Sequence, residues 1–208
     1  EDGNIHSTPL RERITDLDSL PYPDWDLFDI PTYMKHTGPY LDKGLLSGWI
    51  TAVRGCPFSC GYCSRSFGQK VTARSENNMI DEILEFKRLY NGSHFNIVDD
   101  LVMARPKLVR AFARSLIERN VNITWQCTGR VNLVDEELFA LMKKSGCTTL
   151  SYGIESGSQK ILDNMNKGAT VEQAKRAIEI TRKVGLNVGT PFMFGYVGED
   201  RETVSETV

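Results

Sequence analysis

The 208-residue chain has a formal charge of −2, 40% hydrophobic residues and 25% charged residues, an ordinary balance for a globular protein long enough to bury a core. Near-zero charge excludes a nucleic-acid-binding surface as the dominant feature, and no apolar run approaches the ~20 residues of a membrane span. The opening "EDGNIHSTPLRER" lacks a basic start followed by an apolar stretch, so it does not read as a secretory signal.

Residues 1–48 read as a linker arm. Pro21, Pro23, Pro31 and Pro39, interspersed with aromatics in "LPYPDWDLFDIPTYMKHTGPY", preclude long regular elements and predict an extended segment packing its aromatics on the domain that follows. That domain, residues 49–208, alternates strands and helices. "WITAV" is an apolar, β-branched first strand. "MIDEILEFKRLYNG" places Ile80, Ile83, Leu84 and Lys87 at helical spacing, with Gly92 as a stop. "HFNIVDD" is a second strand. "PKLVRAFARSLIERN" is a helix with Pro106 near its start and an apolar stripe through Leu108, Val109, Phe112, Ala113, Leu116 and Ile117.

"VNITWQCTG" is a third strand. Asp135 caps "EELFALMKKSG", where acids lead and lysines trail before Gly146. "TTLSYGI" is a fourth strand. Thr170 and Gln173 have capping-box spacing ahead of "EQAKRAIEITRKVG", which Gly185 ends. "NVGTPFMFG" is a fifth strand, and "EDRETVSETV" begins a further helix. Strands alternating with helices mean βαβ units and a parallel sheet, either a winding barrel or an open sheet. The chain starts without Met and stops inside a helix, so it reads as a piece of a longer protein.

Five cysteines are an odd count, and Cys56, Cys60 and Cys63 crowd into eight positions of "RGCPFSCGYCSRS". That spacing does not suit a disulfide framework and points to a reducing, cytoplasmic setting. The loop follows the first strand, at the edge where chemistry collects in parallel α/β folds. Zinc would need a fourth ligand, and a redox Cys-x-x-Cys would not need Cys56. Three soft thiolates on one loop suit a cubane iron–sulfur cluster whose fourth iron stays open to a small molecule. Cys127 and Cys147 stand alone and read as small buried hydrophobes, and Trp125 as core packing.

Cys-x-x-x-Cys-x-aromatic-Cys, present as Cys56, Cys60, Tyr62 and Cys63, resembles the signature of radical S-adenosylmethionine (SAM) enzymes. The resemblance implies a partial (β/α) barrel of TIM-like type with about five βα units, truncated at its C-terminus. It also implies that the three cysteines hold a [4Fe–4S] cluster whose open iron chelates SAM. Reductive cleavage would then yield methionine and a 5′-deoxyadenosyl radical, with electrons from an external donor of flavodoxin or ferredoxin type. The alternatives are an iron–sulfur module that only carries electrons, with Cys127 or Cys147 as fourth ligand, and a zinc-stabilised binding module.

Several later residues fall on the same strand ends. Asp99, with Asp100, closes the second strand; it is either a loop cap or, as the resemblance implies, a partner of the SAM amino group. Arg130 after the third strand is either a solvated charge or a clamp on a carboxylate. "GIESGS" brings Glu155, a candidate acceptor for the ribose hydroxyls, and Ser156, with glycines that allow close backbone approach. "YGIESGSQKILDNMNKG" is similar to the cobalamin-linked branch of the family. Lys167 is either an exposed helix-end lysine or, as the resemblance to radical SAM enzymes implies, the basic residue of this region that reaches the SAM carboxylate. In "FMFGYVGED", Val197 stands where the related pattern has proline, which leaves that turn open. The arm is similar to the segment following a cobalamin-binding domain, so the parent protein is expected to carry such a domain upstream. A methyltransferase or a pigment cyclase fits that branch, and the sixth strand of the family barrel is absent here, so weak SAM binding is expected of this chain alone.

Overall fold

A computed structural model describes Gly3, residues 7–9, 11–35 and 47–208. Pro39 and the rest of 36–46 lie outside the described residues. In the arm, a 3₁₀ turn over Trp25–Leu27 precedes α1 (Ile30–Lys35). Beyond it come β1 (Ser47–Ile50), β2 (Val53–Arg54), β3 (Thr72–Ala73), α2 (Glu76–Tyr90) and β4 (His94–Ile97). There follow a 3₁₀ turn over Val102–Ala104, α3 (Pro106–Glu118), β5 (Thr124–Gly129), α4 (Glu136–Lys144) and β6 (Cys147–Tyr152). The chain continues with α5 (Gln159–Asn164), α6 (Val171–Lys183), β7 (Asn187–Gly189) and α7 (Arg201–Thr207).

Five strands form one parallel sheet in the order β1-β4-β5-β6-β7. Neighbours in space are neighbours in sequence, so the sheet winds one way, as a barrel does, with no order reversal of the doubly wound kind. Helices return each strand to the same side. Phe86 of α2 meets Phe95 edge-on at 5.6 Å, and Phe112 of α3 meets Trp125 at 5.4 Å. Trp125, Leu150 and Tyr152 are fully buried on this outer face of the sheet.

The expected caps form. Asp135 accepts from the Leu138 amide, and Thr170 and Gln173 complete a reciprocal capping box. Several boundaries differ from expectation, and the fifth strand, read over "NVGTPFMFG", is a strand only at Asn187–Gly189, with one isolated bridge from Phe192 to Glu155 beyond it. "WITAV" is not one strand: β1 ends at Ile50, because the Thr51 and Ala52 carbonyls are taken by the side chain and amide of Arg74. Val53 and Arg54 then pair antiparallel with β3. The α2 stripe runs through Met79, Ile80, Ile83 and Phe86, leaving Leu84 exposed, and Asn91 (φ +54°), not Gly92, makes its left-handed cap. The short helix α5 has no counterpart in the periodicity reading.

The described part of the arm lies against α2 and the β2–β3 ribbon. Trp25 packs edge-on to Phe86 at 5.3 Å, and the Tyr22 hydroxyl donates to the Asn78 carbonyl. Phe28 and Tyr33 are exposed, so only part of the arm's aromatic content is buried.

Candidate active site

The cysteine loop spans the gap between β2 and β3 and hangs over the C-terminal edge of the sheet. Its base is fixed by Gly55, whose amide donates to Asp100 Oδ2 at 2.5 Å and whose φ of +96° a side chain would strain. Cys56 N donates to the Gly68 carbonyl at 3.1 Å. The far side is held by the turn after α5. Gly61 N donates to the Met165 carbonyl at 2.7 Å, and Asn166 Nδ2 donates to the Ser59 carbonyl at 3.0 Å. Asn166 and Lys167 sit in "NMNKG", whose left-handed Asn166 (φ +49°) and Gly168 form the turn that grips the loop.

All five thiols are free: Cys60 is buried, Cys56 half-buried and Cys63 exposed. Burial pushes the Cys56 thiol up, the backbone at Phe58 and the Arg130 charge pull it down, and Cys60 and Cys63 push it up again. Cys56 thus feels both other thiols and the arginine. Among the described residues no three His, Cys, Asp or Glu side chains close on a single ion. A cubane does not ask for that, because each thiolate takes a different iron at a separate corner. The donor set fits such a cluster: three sulfurs on one loop, with no imidazole or carboxylate among them. Cys127 and Cys147 offer no fourth ligand. They share the face of Trp125, are buried beneath the helices, and burial drives the Cys147 thiol up to about 12.

Arg130 is not a solvated charge. It is 6% exposed, its Nη1 lies 3.3 Å from Cys60 Sγ, and its guanidinium sits 3.8 Å over the Phe58 ring. Its buried Nε has no hydrogen-bond partner, a donor left for something the protein does not supply. Sequence reasoning missed Phe58, which is simply the residue after Pro57 until Arg130 covers it.

Tyr62, Glu155 and Lys167 meet. The Tyr62 hydroxyl donates to Glu155 Oε1 at 2.9 Å; Lys167 Nζ donates to that hydroxyl at 2.6 Å and to Oε1 at 3.0 Å. Burial, then the Glu155 carboxylate, pushes the Tyr62 phenol well up. Glu155 holds φ +70°, stapled by bonds to Pro191 O and from Met193 N, and a Cβ on Gly153 would fall 2.3 Å from its Oε1. Such a non-glycine φ marks a position the fold over-determines.

Asp99 and Asp100 cap the loops around them. Asp99 accepts from the amides of Ala52 and Val102, Asp100 from Gly55. Burial outweighs the backbone donors and drives the Asp99 carboxyl up to about 7. Beside them lies a cavity of about 530 Å³ bounded by Arg54, Phe67, Val98, Asp99, Asp100 and Thr128. Ser156 is not brought into this group. Its hydroxyl meets Thr207 of α7 at 3.1 Å and accepts from the Ser158 amide, which ties the loop after β6 to the last helix. The turn at Val197 closes without proline: Glu199 N donates to Tyr196 O, and Gly198 takes φ +88°.

A one-way parallel α/β sheet, with a triple-cysteine loop over its C-terminal edge and buried Arg130 and Lys167 beside the carboxylates of Asp99, Asp100 and Glu155, defines a partial barrel with its polar groups gathered at one edge. The chain belongs to the radical SAM superfamily, whose family model matches residues 50–208. It is 30% identical over its full length to an uncharacterised methyltransferase of Pyrococcus horikoshii, of which it covers 44%. It is 32% identical over 99% of its length to the anaerobic magnesium-protoporphyrin IX monomethyl ester cyclase of Rubrivivax gelatinosus, covering 37% of that protein. The fold is similar to the radical S-adenosylmethionine methyltransferase TsrM from Kitasatospora setae, solved with cobalamin and a [4Fe–4S] cluster bound. The TM-score is 0.71 at 21% identity over 79% of this chain and 34% of that one. The chain therefore spans less than half the length of these curated relatives. No helix among the described residues is long and apolar enough to cross a membrane.

Proposed function

We propose that residues 49–208 form the SAM-cleaving core of a larger enzyme, with Cys56, Cys60 and Cys63 holding a [4Fe–4S] cluster. The observation that carries this is the suspension of the cysteine loop from both sides. Met165, Asn166 and Lys167 grip it on one flank and Arg130 touches Cys60 on another, so the loop that carries the three thiols is held at fixed points on both flanks. The chemistry such a cluster supplies when bound is one-electron cleavage of SAM to methionine and a 5′-deoxyadenosyl radical.

The chain's own residues bind and orient. Arg130 offers its unpaired Nε to an anionic group, as a carboxylate needs. Lys167 and Glu155 neutralise each other here, and a ligand carrying a carboxylate and a diol replaces that contact with one bond to each. Asp99, near neutrality in its acid–base balance, ionises when a cation approaches and so takes an amino group. Tyr62 holds the Lys167–Glu155 pair under the loop. Ser156 contributes by fixing the loop after β6, and the described part of the arm, through Arg13, by bracing the β2–β3 ribbon. An upstream cobalamin-binding domain, an external electron donor of flavodoxin or ferredoxin type, and methyl transfer or cyclisation as the outcome complete the reading; the names of the methyltransferase and cyclase relatives support the outcome, and the cobalamin bound in TsrM is in keeping with the upstream domain.

The test is anaerobic reconstitution with iron and sulfide, then electron paramagnetic resonance of the dithionite-reduced protein with and without SAM. Because this chain alone is expected to bind SAM weakly, SAM is added in large excess, and a cubane signal that changes on its addition is the expected result. Stoichiometric zinc with no cluster would overturn the reading.

A further inference from the structure

We propose that the inner face of the sheet binds a second substrate through an uncharged donor–acceptor edge of the carboxamide, lactam or nucleobase type. This deepens the reading above by naming the chemistry of the molecule that the core acts on.

Strand register carries the argument. Asn96, Gln126, Thr149 and Asn187 lie opposite one another on four successive strands, with Trp49 at the flank beside Asn96. One layer nearer the cysteine loop, Thr128, Ser151 and Gly189 form a second row. Alternate residues, Trp125, Leu150 and Tyr152, turn the other way into the helices, so these rows face the concave side. They line a cavity of about 720 Å³ whose walls, among the described residues, include no ionisable side chain except the Cys127 thiol, itself buried toward the helices.

The row is built by a local irregularity. Trp125 pairs with Cys147, but Gln126 pairs with Thr149, so Thr148 is the extra residue of a bulge and its hydroxyl reaches back to Trp125 O. In unbroken register Thr148 would oppose Gln126, and Thr149 would fall on the helix side with Cys147. The bulge re-aims Thr149 into the cavity.

Gln126 Nε2 donates to Asn96 Oδ1, which leaves Asn96 Nδ2 as a donor and Gln126 Oε1 as an acceptor, side by side. Flipping both amides exchanges the two and still leaves one of each. Such a pair matches a group that itself carries an acceptor beside a donor. A carboxylate meets the acceptor unfavourably and finds no cation at that depth, because Arg130 follows β5 four residues beyond Gln126, about 13 Å along the strand. A tetrapyrrole face would cover these amides without pairing them, at a desolvation cost.

Nicotinamide and nicotinate are a matched pair of probes, identical in ring and different only in amide against carboxylate. Saturation-transfer NMR on the chain, with and without reconstituted cluster, measures both; magnesium-protoporphyrin IX monomethyl ester is followed by its own visible absorption. The expected result is nicotinamide binding roughly tenfold tighter than nicotinate, and roughly tenfold weaker in Gln126→Leu. If Gln126→Leu lowers the melting temperature, Asn96→Asp, which replaces the free donor with an acceptor at constant shape, gives the same comparison. Equal binding of the two probes, binding of neither, indifference to both substitutions, or tight macrocycle binding that survives Gln126→Leu would each overturn the proposal. Because binding is read without the cluster as well, such a result leaves the resonance test of the core reading intact.

Discussion

Arg130 and Cys60, seventy residues apart in sequence, are joined by an N–H···S contact of 3.3 Å, with the guanidinium pinned on the Phe58 ring. A hydrogen bond to a cluster-ligating sulfur withdraws electron density and raises the reduction potential. At about 1 kcal/mol for such a bond, the one-electron equivalent is roughly 40 mV. Arg130→Gln, which also loses the charge, is expected to lower the midpoint potential by at least that much in a resonance-monitored redox titration. Arg130→Lys should fall between, and an unmoved potential in both would show that the contact is only packing.

Arg13 bridges the two strands of the β2–β3 ribbon, donating to the Arg54 carbonyl at 3.0 Å and to the Thr72 hydroxyl at 3.1 Å. Arg13→Ala should cost about 1 kcal/mol, because these bonds are partly open to water. Its signature is local: faster hydrogen exchange across residues 54–72 with the sheet amides unchanged. Gly55→Ala should be more damaging, since its Cβ would fall 2.4 Å from the Lys70 carbonyl at a φ of +96°. Uniform exchange in both variants would mean that the arm does not brace the loop.

Lys167 and Glu155 form a buried pair, with side chains 6% and 12% exposed. Removing one partner strands the other, at about 3 kcal/mol. Lys167→Met should therefore lower the denaturant midpoint strongly, and Lys167→Met with Glu155→Gln should recover most of the loss. Additive single and double effects would show that the pair is not coupled.

Asp99 sets a pH dependence of known sign. Its folded value, about 7, lies above the unfolded carboxylate value of about 3.9. Between those values the folded state binds the extra proton, so this group's contribution to stability falls as pH rises from about 4 to 7 and is lowest above 7. Asp99→Asn should consequently have a higher melting temperature than the parent protein at pH 8, with the gap narrowing as pH falls toward 4. A gap independent of pH, or one of opposite sign, would contradict a folded-state Asp99 carboxyl held above its unfolded value.

Much of this architecture is visible along the chain because it depends on near neighbours. The α3 stripe, the Asp135 cap and the Thr170–Gln173 box all span a few residues; both caps form as read, and the stripe buries Val109, Phe112, Ala113 and Leu116 with Leu108 and Ile117 half-buried at its margins. The cysteine spacing is equally local. Some differences come from a distant partner, as where Arg74 draws Thr51 and Ala52 out of the first strand; others are local, as where Asn91 takes the left-handed cap ahead of Gly92 and where the short α5 forms.

The sequence by itself therefore determined the βα alternation, the N-terminal caps at Asp135 and Thr170 and the three thiols on one loop, since each is written in contacts within a turn or two of the backbone. Only the tertiary structure decided which rim residues meet. Tyr62 and Lys167 are 105 positions apart, and the Asn96–Gln126–Thr149–Asn187 row depends on strand register and one bulge. No local preference encodes such meetings. They are fixed when Trp125, Leu150 and Tyr152 bury against the helices, which locks every strand in register and leaves the opposite side chains to line one cavity.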